Sequence, residues 1–124
     1  MKRLVSALAL ALVWLALGLP AAQAQGYPSK QIRLICPFPP GGAVDIASRA
    51  IADGLSKVTG QTVLVENKPG AGGNVGGEQA AKAPPDGYTL FMTTSGIQAI
   101  NPFLYQKMPF DPNKDFAPVI ALVS

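Results

Sequence analysis

Between Gln31 and Glu66 the chain reads QIRLICPFPPGGAVDIASRAIADGLSKVTGQTVLVE, and no other stretch restricts the fold as much. QIRLIC (31–36) is a short apolar run suited to a strand, and TVLVE (62–66) is a second, rich in β-branched residues. From Ala43 onward, Ile46, Ala47, Ala50, Ile51, Gly54, Leu55 and Val58 recur at spacings of three and four, which predicts a helix with one apolar face. Gly60 stands where a left-handed glycine ends such a helix. Two strands joined through one helix by short links are expected to lie parallel, with a right-handed crossover.

The pattern continues. NKPGAGGNVGG (67–77) is a second glycine-rich loop running into a short Ala-rich helix, Val75 to Ala83, stopped by Pro84 and Pro85. PPDG is a turn, and YTLFMT (88–93) reads as a third strand. A hydroxyl-rich TSG leads to a short helical piece at Ile97–Ile100, which Asn101-Pro102 ends. FLYQKMPFDPNKDF is irregular and proline-punctuated, and APVIALVS (117–124) reads as the beginning of a fourth strand. The order is β-α-β-α-β, so the expected class is α/β with a parallel sheet covered by helices. Because Ser124 falls inside an apolar run, the expectation is a truncated chain.

In a sheet of this kind ligands sit at the carboxyl ends of the strands. Three loops are expected there: Pro37 to Ala43, Asn67 to Asn74, and Thr93 to Gly96. In the first, Phe38, Pro39 and Pro40 make a stiff lead, since a proline has a fixed φ and no N–H. Gly41, Gly42 and Ala43 then present consecutive amides at a helix start, where the helix dipole favours an anion without any basic side chain. Asp45, in the first turn, suits that dipole and can pair with Arg49 four residues on, a structural role that competes with ligand contact. The second loop is read as a repeat of the design, with Gly70, Gly72 and Gly73 ahead of Asn74 as an N-cap. The third supplies the hydroxyls of Thr93, Thr94 and Ser95. For either glycine-rich loop alone, turn formation explains the composition equally well.

Several classes of function are excluded or weakened. Residues 1–24 carry Lys2 and Arg3, an apolar run from Leu4 to Leu19, and Ala22-Gln23-Ala24, which is the pattern of a signal peptide cleaved after Ala24. The run is too short for a membrane span, so the expected mature chain is a soluble one from Gln25 with no membrane insertion. Ten Lys and Arg less those two leave eight against seven acidic residues, a mature net charge of +1. Nucleic acid is therefore not an expected partner. The single cysteine, Cys36, sits within an apolar strand and is read as a small buried hydrophobe, with no disulfide framework. There is no histidine, so Ser-His-Asp and Cys-His nucleophile systems and the usual zinc sites are absent; no catalytic residue, metal or cofactor is expected. Gly70, Gly72 and Gly76 loosely match a dinucleotide fingerprint, but Val75 occupies the place of its third glycine and no acidic residue ends the next strand. A Walker A loop fails for want of its G-K-[ST] ending.

Two blocks, PFPPGGAVDIASRAIADGLSKVTGQTVLVENKPGAGGNVGGEQAAKAPPDGYTL and NPFLYQKMPFDPNKDFAPV, resemble the amino-terminal part of the Bug-type receptors of tripartite tricarboxylate transporters. The resemblance implies part of the first lobe of a two-lobe periplasmic binding protein, over residues 25–124. It implies a monomer that binds a small organic acid in the periplasm and hands it to membrane transporter subunits. It also implies that Phe38 to Ala43, with Asp45 just inside the helix, and Thr93 to Ser95 hold a ligand carboxylate through backbone amides and bridging waters. Gly70 to Asn74 then form a pocket edge. Many relatives have a histidine at the position of Gln98 and valine at that of Cys36. Three charge-assisted hydrogen bonds of ~2 kcal/mol each, against an association cost of at least ~4 kcal/mol, imply weak binding by this part alone. From the residues alone, two further classes stay open: an exported α/β enzyme whose catalytic groups lie elsewhere, and a structural or interaction fragment.

Overall fold

The computed structural model describes residues 26–122, so the signal-peptide expectation for residues 1–24 lies outside it. Three strands, β1 (Ile32–Cys36), β2 (Val63–Asn67) and β3 (Thr89–Phe91), form one sheet in the order β2-β1-β3. Both pairings are parallel, with Cys36 opposite Asn67 and Ile35 opposite Phe91, so the three carboxyl ends lie along one edge.

Helix α1 (Ala43–Thr59) connects β1 to β2 and ends on Gly60, whose φ of 70° places it in the left-handed region. Its amide returns to the Ser56 carbonyl at 3.0 Å, closing the last turn. The helix covers one face of the sheet, where Ile32, Leu34, Ala52, Val63 and Met92 form the core, with Val44, Ile51, Leu55, Val65 and Leu90 packed against them. Fully burying one such aliphatic side chain contributes about 1.5–3 kcal/mol.

The buried stripe of α1 differs in phase from the expected one. Asp45, Ser48 and Ala52 are buried, whereas Ile46 is 62 % and Val58 86 % exposed, and Ala47, Ala50 and Gly54 also face outward. The reason is that the inward serines satisfy themselves: Ser48 Oγ donates to the Val44 carbonyl and Ser56 Oγ to the Ala52 carbonyl, each at 2.7 Å. Ser56 Oγ also accepts the Val63 amide at 2.9 Å, joining the helix end to β2. Buried hydroxyls with partners carry little penalty, so small polar residues fit close against the sheet where hydropathy alone puts isoleucine.

The opposite face carries α2 (Asn74–Ala81), which packs on β1 and β3. Beside it Phe91 of β3 stacks on Phe116 at 5.3 Å between ring centroids, and Phe116 meets Phe110 edge-on at 5.5 Å. On that same face Arg33 grips Glu66 with two bonds, Nε to Oε1 at 2.7 Å and Nη2 to Oε2 at 2.9 Å. This bidentate pair holds the Glu66 carboxyl below its ordinary range.

After β3 the chain turns into a π-helical segment, Gly96–Ile100, continued by the short helix α3 (Asn101–Leu104). The expected fourth strand is not found: residues 117–122 have no regular structure and pair with none of the described strands. Val119 and Ile120, 80 % and 76 % exposed, face solvent, and without a pairing strand among the described residues the run has no ladder to hold it extended. The fold is that of an α/β parallel sheet with helices on both faces.

Candidate functional site

The three expected loops do leave the same edge of the sheet, and their roots are packed together. Pro37 is buried, and Gly73 and Gly76 lie against it: a Cβ added at either would come within 3.3 Å and 3.1 Å of Pro37. Ile97 of the π-helical segment reaches the same point, since a Cβ on Gly73 would overlap its Cδ1. Above this packed layer the loops differ.

The first loop is latched from below. Asp45, 2 % exposed, accepts the Gly41 amide at 2.9 Å and Arg49 Nε at 3.0 Å on Oδ2, and Asn67 Nδ2 at 2.8 Å on Oδ1. Asn67 Nδ2 also donates to the Phe38 carbonyl at 2.9 Å, and Arg49 Nη2 donates to Asn67 Oδ1 at 3.1 Å. Arg49, then the Gly41 amide and Asn67, hold the Asp45 carboxyl well below the usual carboxylate range. The anticipated pairing of Asp45 with Arg49 is therefore present, while the anticipated run of three free amides shortens to two. Gly41 gives its N–H to Asp45, with φ at 84°, and Gly42 and Ala43 have no partner for theirs among the described residues.

Outside the latch, Phe38, Pro39, Pro40, Gly41, Gly42, Ala43 and Val44 line an open depression of ≈ 510 Å³. Pro39 to Ala43 are exposed, and no atom of the second or third loop belongs to this lining. Cys36, the free cysteine, is buried beneath the loop with Sγ 3.7 Å from the Phe38 carbonyl, in keeping with its reading as a core residue.

The second loop does not repeat the first. Its amides turn onto its own carbonyls: Gly73 N–H to Gly70 O at 2.9 Å, Asn74 N–H to Ala71 O, and Val75 N–H to Gly70 O at 3.4 Å. Ala71–Gly73 form a 3-10 turn, and the capping position of α2 is Gly73, with φ at 97°. Asn74, expected as the cap, is instead the first helical residue, and its buried side chain accepts Asn101 Nδ2 at 2.7 Å. Asn101 Nδ2 also donates to the Gly72 carbonyl at 3.1 Å, so α3 and the second loop are tied together. Gly70 and Gly72 lie exposed at the rim, and Gly73 and Asn74 are buried below it.

In the third loop Thr93 Oγ1 is buried and finds no hydrogen-bond partner among the described residues. The Thr94 carbonyl accepts the Gln98 amide at 3.0 Å, and Ser95 is exposed at the start of the helical run, making no capping bond. Among the described residues no group of three or more metal-ligating side chains occurs, and no helix is long and apolar enough to cross a membrane.

Two residues that hold this edge together, Asn67 and Asn101, were not singled out by sequence reasoning. Each stands at the boundary of a regular element, where an amide side chain has both a donor and an acceptor to offer. That position is the one signal the sequence carries for them.

Comparison with known proteins bears directly on the origin of this arrangement. The family model described as "Tripartite tricarboxylate transporter family receptor" matches residues 47–124. A UPF0065 protein of Bordetella bronchiseptica is 41% identical over 120 residues, which cover 97% of this chain and 36% of that protein. Among solved structures, Rpa4515 of R. palustris with adipate superposes with a TM-score of 0.74 at 42% identity, covering 77% of this chain and 32% of that one. The periplasmic binding protein BugD superposes with a TM-score of 0.70 at 38% identity, covering 74% and 30%. The chain thus spans about a third of the length of the relatives it matches. From the matched model and these identities, the chain belongs to the tripartite tricarboxylate transporter family of receptors.

Proposed function

We propose that this chain forms one wall of a periplasmic solute receptor that holds a small carboxylate, in the class of adipate, and delivers it to the membrane subunits of a tripartite transporter. The observation that carries the reading is the pair of unpartnered amides at Gly42 and Ala43, exposed at the start of the 17-residue helix α1 and at the carboxyl edge of the sheet. The charge on Asp45 is balanced by Arg49, so attraction for an anion comes from those amides and the helix dipole. Thr93, Thr94 and Ser95 supply hydroxyls from the third loop, with Thr93 Oγ1 still unpartnered. Gly70 and Gly72 bound the site at the rim, while Phe38, Pro39 and Pro40 form its stiff side.

With two amides rather than three, the direct contribution is about 4 kcal/mol, close to the least that association costs. The helix dipole and the third-loop hydroxyls add about 1 kcal/mol each, which puts this wall alone at roughly tens of millimolar, and a facing lobe supplies the remaining affinity. Export by a cleaved leader and action as a monomer belong to the same proposal.

The test is a titration of the 15N-labelled protein with adipate, followed residue by residue by NMR, which registers binding at roughly tens of millimolar. The Gly42 and Ala43 amide resonances are expected to move downfield and saturate, while Gly60 and Gly87, at the other end of the sheet, stay still. Saturable shifts elsewhere with none at Gly42 and Ala43 would sink the reading.

A further inference from the structure

Asn67 is the residue through which the second strand controls the first loop. Its side chain stands at the last position of β2, opposite Cys36, on the face covered by α1. One nitrogen serves two acceptors that belong to different segments, the Phe38 carbonyl at 2.9 Å and Asp45 Oδ1 at 2.8 Å. Its oxygen accepts Arg49 Nη2 at 3.1 Å. Every polar atom of the amide is used. Without it the Phe38 carbonyl has no described partner except the weak Cys36 Sγ contact at 3.7 Å, and Asp45 keeps Gly41 and Arg49 only.

We infer that Asn67 is a positioning residue for the carboxylate site: by donating to the Phe38 carbonyl and to Asp45 together, it turns that carbonyl inward and leaves the Gly42 and Ala43 amides to the ligand. The inference rests on the carboxylate reading above. Its physical content is a sign. A Phe38 carbonyl turned outward into the depression that Gly42 and Ala43 also line repels a carboxylate, whereas one held inward by an N–H donor does not, so the site depends on a donor at position 67 and not merely on a side chain that fills the space.

Asn67→Asp separates these alternatives because it keeps the shape and removes the donor. At neutral pH the new carboxylate faces Asp45 and the Phe38 carbonyl, and like charges this close favour uptake of a shared proton. The charged and titratable groups around the position are Asp45 and Arg49 from α1, Cys36 across the ladder, and Glu66 and Lys68 beside it in the chain. Glu66 is engaged by Arg33 on the far face, and Lys68 Nζ lies 3.8 Å from it. Protonating the new carboxyl restores one donor of two.

The experiment is the adipate titration of the full chain by NMR at pH 7.5 and pH 5, for the unaltered protein, Asn67→Asp and Asn67→Ala. Asn67→Asp is expected to bind roughly tenfold more weakly than the unaltered protein at pH 7.5, the equivalent of one lost hydrogen bond, and to recover to within about threefold at pH 5. Asn67→Ala is expected to be as weak at both. Unchanged binding by Asn67→Asp, or a deficit equal at the two pH values, overturns the positioning role while leaving the carboxylate reading intact. Absence of any adipate-dependent shift in the unaltered protein overturns that reading and this inference with it. Should Asn67→Asp not fold, the side-chain NH2 resonances of Asn67 in the unaltered protein decide: slow exchange with water supports the role, and exchange at the rate of an exposed asparagine overturns it.

Discussion

The two loops are both glycine-rich and have opposite physics. In the first, a Cβ on Gly41 would meet nothing within 4 Å and one on Gly42 only the Pro39 carbonyl at 3.6 Å, so the space beside these glycines is open. In the second, a Cβ on Gly73 would run into the Ile97 side chain, and one on Gly77, just inside α2, into the Phe110 ring. The first loop leaves two amides outward, and the second returns three to its own carbonyls. Glycine leaves open space in one place and allows close approach of the protein to itself in the other. Composition cannot separate those uses; what lies across from each Cα does.

The sharpest way to break this contrast is Gly73→Ala. The residue has φ at 97°, where a side chain is strained, and its new methyl would overlap the buried Ile97. Strain of about 1–2 kcal/mol and overpacking of about 1–3 kcal/mol together predict a loss near 3 kcal/mol, read as a lower urea midpoint at an unchanged slope. A neutral result would mean that the second loop has room to spare and that the contrast is false. Asn101→Ala comes next. It leaves the Gly72 carbonyl and Asn74 Oδ1 without their shared donor, and a loss of about 2 kcal/mol is expected, with the first-loop amide resonances unmoved.

Acid distinguishes the loops without any substitution. The Asp45 carboxyl is held below its ordinary value of about 3.9 by Arg49, the Gly41 amide and Asn67. A depressed native pKa contributes stability that is present above the unfolded value and is lost as pH falls through the native one. With no histidine in the chain, no side chain of ordinary pKa titrates between pH 5 and 8. The Gly41 amide resonance is therefore expected to be constant from pH 8 to 5 and to move only well below the ordinary carboxylate range of about 4, while that of Gly73, bonded to a backbone carbonyl, stays in place throughout. Titration of the Gly41 signal between pH 5 and 7 would show that the latch is not built on Asp45.

The limits of the sequence follow from the same particulars. The extent of α1 was legible, because a 3.6-residue pattern between two β-branched runs and a terminal glycine have one economical reading. Which of its faces is buried was not, since Ser48 and Ser56 satisfy their hydroxyls on the helix's own carbonyls and so escape the penalty that hydropathy assigns them. The apolar run after Ala117 has the composition of a strand and no neighbour to pair with among the described residues. Asn67 and Asn101 act across separations of 29 residues, to Phe38 and to Gly72, and local pattern carries no information about such partners. The edge where the loops gather could be foreseen from topology, and the division of labour among them could not.

The smallest effect on stability is expected from Gly42→Ala, and it probes the comparison from the side of the open loop. Gly42 has φ at −79°, an ordinary angle for any residue, and its added methyl would make only a van der Waals contact. Alanine is a poorer helix cap than glycine, so a loss within about 1 kcal/mol is predicted. Binding is a different matter under the proposed carboxylate reading, because the methyl is added to a lining residue of the depression that the Gly42 and Ala43 amides share. Lengthening those two hydrogen bonds predicts a loss of about tenfold or more in adipate affinity. A variant that keeps its urea midpoint and loses adipate is what the open loop requires. One that keeps both would mean that the amides of Gly42 and Ala43 are exposed for some purpose other than an anion, and the difference between the two loops would then be one of packing alone.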